Sequence, residues 1–123
     1  MPHRHASPLA RTHVLDAGPP VRLRLARQSD LIGVDVLLRG RGIDACELEL
    51  RRLLTFDPAE RTVLCAFCPL DGTDRIVGIA AIDLAEDADV DTLVVDEELT
   101  AGLPELLGEV LRSRAASHAR RVA

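Results

Sequence analysis

Residues 61–83 read RTVLCAFCPLDGTDRIVGIAAID, two apolar runs joined through Asp71-Gly72. Short runs rich in Val, Ile and Leu, bounded by turn residues, are strands. A short Asp-Gly link between two such runs pairs them antiparallel. The spacing predicts a strand from Thr62 to Phe67, a turn over Pro69-Leu70-Asp71-Gly72, and a second strand from Ile76 to Leu84. That second strand is apolar on both faces, with Ile76, Ala80 and Ile82 against Val77, Ile79 and Ala81. A strand buried on both sides belongs in the middle of a sheet.

Working outward from the hairpin, the amino-terminal side gives a strand and two helices. Val21, Leu23 and Leu25 alternate with Arg22, Arg24 and Ala26, a half-buried strand ending near Arg27. Ser29 or Asp30 caps a helix that carries Leu31, Val34, Leu37 and Leu38 on one side, and Gly40 and Gly42 stop it. A second helix is expected from about Asp44, with Cys46, Leu50, Leu53 and Leu54 on one face, and Pro58 ends it. On the carboxyl side, Val90 to Val95 is a third strand in succession. Leu103, Leu106, Leu107, Val110 and Leu111 then form a helical stripe, extended by Ala115, His118 and Val122. Arg112, Arg114, Arg120 and Arg121 lie toward the carboxyl end of that helix, where they favour its dipole. The order is strand, helix, helix, three strands, helix, which is an α+β domain.

Composition narrows the class without giving an activity. The chain has 123 residues, enough for one domain, with 47% hydrophobic and 28% charged residues, so it is neither disordered nor a membrane span. A net charge of −5 gives no footprint for nucleic acid. All basic residues are Arg, and no Tyr is present, so no phenolic hydroxyl can serve a mechanism. Residues 1–20 mix Pro, Gly, His and Arg without period and are expected to be a flexible tail ahead of a domain over 21–123. They carry no apolar signal segment, and three cysteines are too few for a disulfide framework, so a cytoplasmic setting is expected. Cys65 and Cys68 match C-x-x-C, but on a strand they point to opposite faces and read as core. No metal site is expected.

The run VRLRLARQSD, the two helices, the hairpin, and TLVVDEELTAGLPELLGEVLRSRA resemble the amino-terminal two thirds of a GNAT-type N-acetyltransferase. The resemblance covers Val21 to the end. It implies a mixed-sheet core of β-α-α-β-β-β-α order lacking that family's final strand-helix-strand part. It also implies acetyl-CoA as cofactor and an amine as acceptor. The strand Leu93, Val94 and Val95 would offer backbone groups to the pantetheine arm, and Thr100, Ala101, Gly102 and Leu103 would form the pyrophosphate loop. Thr100 stands where the family has Arg or Gln, Pro104 replaces a small residue, and Glu97, Glu98 and Glu105 surround the loop.

From Ile76 to Leu111 there are ten acids and no Arg (Asp83, Glu86, Asp87, Asp89, Asp91, Asp96, Glu97, Glu98, Glu105 and Glu109). Asp89 and Asp91, at the start of the strand Val90 to Val95, are carboxylates available as general base, and an acidic rim draws cationic acceptors. No catalytic residue follows from sequence alone. The leading expectation is acetyl-CoA-dependent N-acyl transfer to an amine, in an active or degenerate form. The alternative is a non-catalytic binding module that dimerises through the open sheet edge.

Overall fold

The computed structural model describes residues 12–15, 19–85 and 87–122. Its strands are β1 (Thr12–His13), β2 (Val21–Leu25), β3 (Arg61–Leu70), β4 (Thr73–Asp83) and β5 (Val90–Val95). Its helices are α1 (Leu31–Gly40), entered through a 3₁₀ turn at Gln28–Asp30, α2 (Glu47–Leu53) and α3 (Leu103–Val122). The expected order is present, and the fold is α+β. The strands form one sheet in the order β1-β2-β3-β4-β5.

All four strand pairings are antiparallel, which differs from the mixed sheet the resemblance implied. A parallel pair needs a crossover to a further strand, and the described residues contain none after α3. A second difference lies in the stretch read as a tail. Thr12 and His13 pair with Arg22 and Val21, so part of that stretch extends the sheet. The rest of that expectation, on residues 1–11 and 16–18, lies outside the described residues.

The hairpin forms for the reason its sequence gives. Asp71 and Gly72 both have positive φ (51° and 79°), the conformation of a two-residue turn whose twist matches its strands. Each strand is longer than its apolar run, because pairing continues through Pro69↔Asp74 to Leu70↔Thr73. The faces of β4 also depart from simple alternation. Its register against β3 slips between Ala66 and Phe67, leaving Val77 without an opposite residue. The bulge turns Val77 and Gly78 both toward α3, while Ile76, Ile79 and Ala81 face α1 and α2. Strict period-2 reading had placed Ile76 with Ala80 and Ile82, on the wrong side.

Two apolar layers result, one on each face of the sheet. Leu23, Leu64, Ala80 and Ile82 pack against Leu103, Leu107 and Leu111 of α3, all nearly or fully buried. Burying a leucine of this kind contributes about 1.5–3 kcal/mol. Val63, Cys65, Phe67 and Ile79 pack against Val34, Leu37, Leu38, Leu50 and Leu54 of α1 and α2. Cys65 and Cys68 lie in opposite layers, as expected of buried apolar cysteines. Gly78 lets α3 approach: a Cβ there would stand 2.9 Å from Leu103 Cδ2 and 3.3 Å from Val95 Cγ1.

Helix α2 starts later than its apolar spacing predicts. Cys46 is exposed and occupies the N-cap rather than a buried face, and its N–H donates to Glu49 Oε1 at 3.1 Å. This reciprocal cap fixes the first helical residue as Glu47. The helix also stops at Leu53, before Pro58, where Thr55 Oγ1 donates to Arg51 O at 2.6 Å. Asp30 acts as a cap as well, but for the 3₁₀ turn: its Oδ2 accepts the Arg27 N–H at 2.8 Å.

Candidate functional site

Strand β5 ends the sheet, so one of its sides has no partner strand among the described residues. The Asp96 N–H donates to Val77 O at 2.8 Å. Backbone groups of alternate residues point to opposite sides of a strand, so Leu93 and Val95 present theirs to the open edge. Leu93 is 43% exposed there, Val94 faces the α1 and α2 layer, and the Val95 side chain is buried under α3. An open edge of this kind can receive any ligand that carries amide groups.

The chain leaves β5 into the turn 96–102. Thr100 is fully buried, and both its Oγ1 (2.7 Å) and its N–H (3.2 Å) donate to Asp96 O. Its hydroxyl therefore holds the turn and is not free for a ligand. Ala101 is exposed, Gly102 has φ +91°, and Leu103 is in the core. The Leu103 N–H donates to Thr100 O, the Leu106 N–H donates to Gly102 O, and Pro104 has none. The N–H groups of Ala101, Gly102 and Glu105 have no backbone acceptor among the described residues. Of the seven residues expected to bind cofactor, Leu93, Val95, Ala101 and Gly102 offer backbone groups. Thr100 and Leu103 are structural, and Val94 faces the other layer.

Beside the end of β5 lies a cleft of about 710 Å³, between α1 and the distal half of the β3–β4 hairpin. Gly33 permits the helix to approach, since a Cβ on it would meet Ile76 Cδ1 at 2.6 Å. Phe67 and Ile76 supply apolar wall, and Asp96 and Glu98 bring the end of β5 to the cleft. Asp30 also lines it but is 5% exposed and fully engaged. Arg24 Nη1 and Nη2 donate to its two oxygens at 2.9 and 2.8 Å, and the guanidinium stacks 4.2 Å above the Phe67 ring. Asp74 meets Arg22 at 2.6 Å. Asp71, Asp96, Glu98, Arg41 and Arg75 also line the cleft, and none has an ion pair or side-chain hydrogen bond among the described residues.

The carboxylates singled out as bases lie elsewhere and are occupied. Arg61 donates to both Asp91 oxygens (2.7 and 2.8 Å) and to Asp83 (2.7 Å), which holds the Asp91 carboxyl below its usual range. The Val90 N–H and Arg112 do the same to Asp89. A carboxylate so held is a poor proton acceptor. Burial, with Asp30 nearby, pushes the Cys65 thiol up to about 12, so it is no redox group. His118 is half-buried on α3. Glu86 lies outside the described residues, and among those described no His, Cys, Asp and Glu group is arranged to hold a metal ion. No described helix is long and apolar enough to cross a membrane.

Sequence reading missed the cleft charges on Arg41, Asp71 and Arg75, because each falls in a turn or at an element end where a solvated charge is the ordinary reading. The Arg24–Asp30 pair had a signal, since Asp30 was singled out as a cap. Compared with protein-family models, the chain matches none, and no curated protein matches it.

Proposed function

We propose that this chain is a GNAT-like domain for acetyl-CoA-dependent N-acyl transfer to an amine. The observation that carries the reading is the open edge of β5 running into N–H groups at the start of α3 that have no backbone acceptor among the described residues, beside a cleft. Exposed backbone donors at Leu93 and Val95 suit the amides of a pantetheine arm. The Ala101, Gly102 and Glu105 N–H groups suit a phosphate, as helix starts do in general. Acetyl-CoA would supply a thioester carbonyl for attack by the amine. The protein's part is to hold the two together, and proximity alone accounts for a large share of such a rate. Glu97, Glu98 and Glu105 oppose a pyrophosphate by charge, so the affinity expected is modest and falls as anionic groups are added to the ligand.

The test is the thermal unfolding midpoint by circular dichroism with acetyl-CoA, CoA, or adenosine 3′,5′-bisphosphate. A ligand at 100 times its dissociation constant adds about 2.7 kcal/mol. In a domain this size that raises the midpoint by several degrees, at roughly 4–8 °C per kcal/mol for the smallest domains. No shift at millimolar acetyl-CoA overturns the reading.

A second reading rests on the same edge and the half-exposed Leu93: a second copy adds its β5 there, and the domain is a dimerisation module. Two-fold antiparallel pairing centred on Val94 lets Leu93 bond Val95 of the other copy and sets Asp91 against Glu97, and like charges across strands oppose it. The mass in solution, measured with and without CoA, separates the two readings.

A further inference from the structure

The charges in the cleft are of both signs. Asp96 and Glu98 reach it from the end of β5, and Arg41 and Arg75 from the end of α1 and from the hairpin. None of the four is neutralised by another side chain among the described residues, whereas the more deeply buried Asp30 is fully paired. A purely cationic ligand would satisfy only the acids and leave two arginines facing it. A carboxylate would satisfy only the arginines. Phe67 and Ile76 add an apolar wall between α1 and the sheet. Asp71, at the hairpin turn, adds a third unpaired acid to the lining. A ligand matching the other four charges and the apolar wall carries an ammonium, a carboxylate and a short apolar group.

We propose that the cleft binds a free α-amino acid with an apolar side chain, its ammonium toward Asp96 and Glu98 and its carboxylate toward Arg41 and Arg75. As the acceptor of the proposed transfer, this rests on the acyl-transfer reading and narrows its amine to one class. As a binding site it stands on the cleft alone. It also revises the expectation of a cationic acceptor: the acidic run from Ile76 to Leu111 contributes only Asp96 and Glu98 to the lining together with Ile76, and the arginines come from outside that run.

Three isosteric probes separate the charges. Leucine carries both, leucinamide lacks the carboxylate, and 4-methylpentanoate lacks the ammonium. Backbone amide shifts of the full chain, titrated at neutral pH, are expected to map leucine to Phe67, Ile76 and Asp96. Leucine should bind about two- to fivefold more tightly than either probe, the scale of one solvent-accessible charge pair. Arg75→Gln should erase its advantage over leucinamide, and Asp96→Asn its advantage over 4-methylpentanoate. Leucinamide binding as tightly as leucine overturns the proposal in favour of a cationic ligand, and so does an absence of shifts around Phe67 and Ile76. Acetyl-CoA is titrated into the same samples. Leucine binding without acetyl-CoA binding keeps the cleft and removes the acyl donor, and the converse overturns the cleft alone.

Discussion

The two ends of the central strands treat charge in opposite ways. At the end where β3 begins and β4 finishes, Arg61 binds Asp83 and Asp91, and Arg112 crosses from α3 to Asp89. At the hairpin end, Arg22 meets Asp74, but the side chains of Asp71, Arg75, Asp96, Glu98 and Arg41 have no ion pair or hydrogen bond among the described residues. The same strands, sequence and solvent serve both ends, so the contrast lies in what the side chains can reach. Matched charges tie elements together, here β3 to β4 and β5. Unmatched charges around a concave surface do nothing for the fold and are available to a ligand.

The boundary between the two regimes is the Arg24–Asp30 pair under the cleft, and breaking it has the largest expected effect. Arg24→Leu leaves a 5% exposed carboxylate without its counter-charge. That costs about 3 kcal/mol and lowers the thermal midpoint by about 10 °C or more. The double variant Arg24→Leu/Asp30→Leu should recover most of the loss, since it is the orphaned charge that costs. Failure to recover would place the loss in the Asp30 cap on Arg27 or in the stacking of Arg24 on Phe67 of β3, rather than in the orphaned charge.

Next in size is Gly78→Val, at the level of β4 where α3 starts. Leu103, Leu107 and Val95 already crowd the position of a Cβ, so overpacking should cost about 2 kcal/mol. The effect should appear in the thermal midpoint and in lost protection of α3 amides. Unchanged protection would mean the helix slides without loss, and that Gly78 is not what sets its approach.

Arg61→Leu tests the matched end directly, and its signature is pH. Arg61 holds the Asp91 carboxyl below its ordinary value. A depressed carboxylate contributes stability that is present above its unfolded pKa, about 3.9, and is lost as pH falls through its folded value. Wild type should therefore lose midpoint as pH drops below about 4, and Arg61→Leu should lose less over the same window. The cost at neutral pH is roughly 1 kcal/mol, because both carboxylates are partly exposed. Identical acid profiles would place the acid sensitivity in other carboxylates.

The legible part of this molecule is what period and turn chemistry write locally. Asp71-Gly72 specifies a hairpin, and the stripe from Leu103 to Leu111 specifies the helix that covers it. The bulge at Val77 was not legible, because no residue there breaks the apolar run, and two-fold alternation assigns its neighbours to the wrong layers. Nor was β1, which is two residues long, too short to show a period. The cofactor edge was visible as a strand followed by a turn and a helix, although Thr100 looks available in sequence and is consumed by its own turn. The cleft was hidden for a different reason: its charges come from α1, the hairpin and the turn after β5, and only the packing of Gly33 on Ile76 brings them together.

The smallest expected effect is also the sharpest test of the contrast between the ends. Asp96→Asn and Arg75→Gln remove charges that have no partner among the described residues, so each should change stability by less than about 0.5 kcal/mol. Asp96→Asn keeps the side chain's shape, Arg75→Gln keeps a polar end on a shorter stem, and the Asp96 backbone groups that hold the turn are untouched. A small gain is the more informative outcome. Removing an acid from the crowded run Asp96-Glu97-Glu98 relieves repulsion, and a binding site that gains stability when its charge is removed was not placed there for the fold. A loss of 2 kcal/mol or more from either variant would mean that the hairpin end is tied together as the Arg61 end is, and the distinction between structural and available charge would fail at that residue.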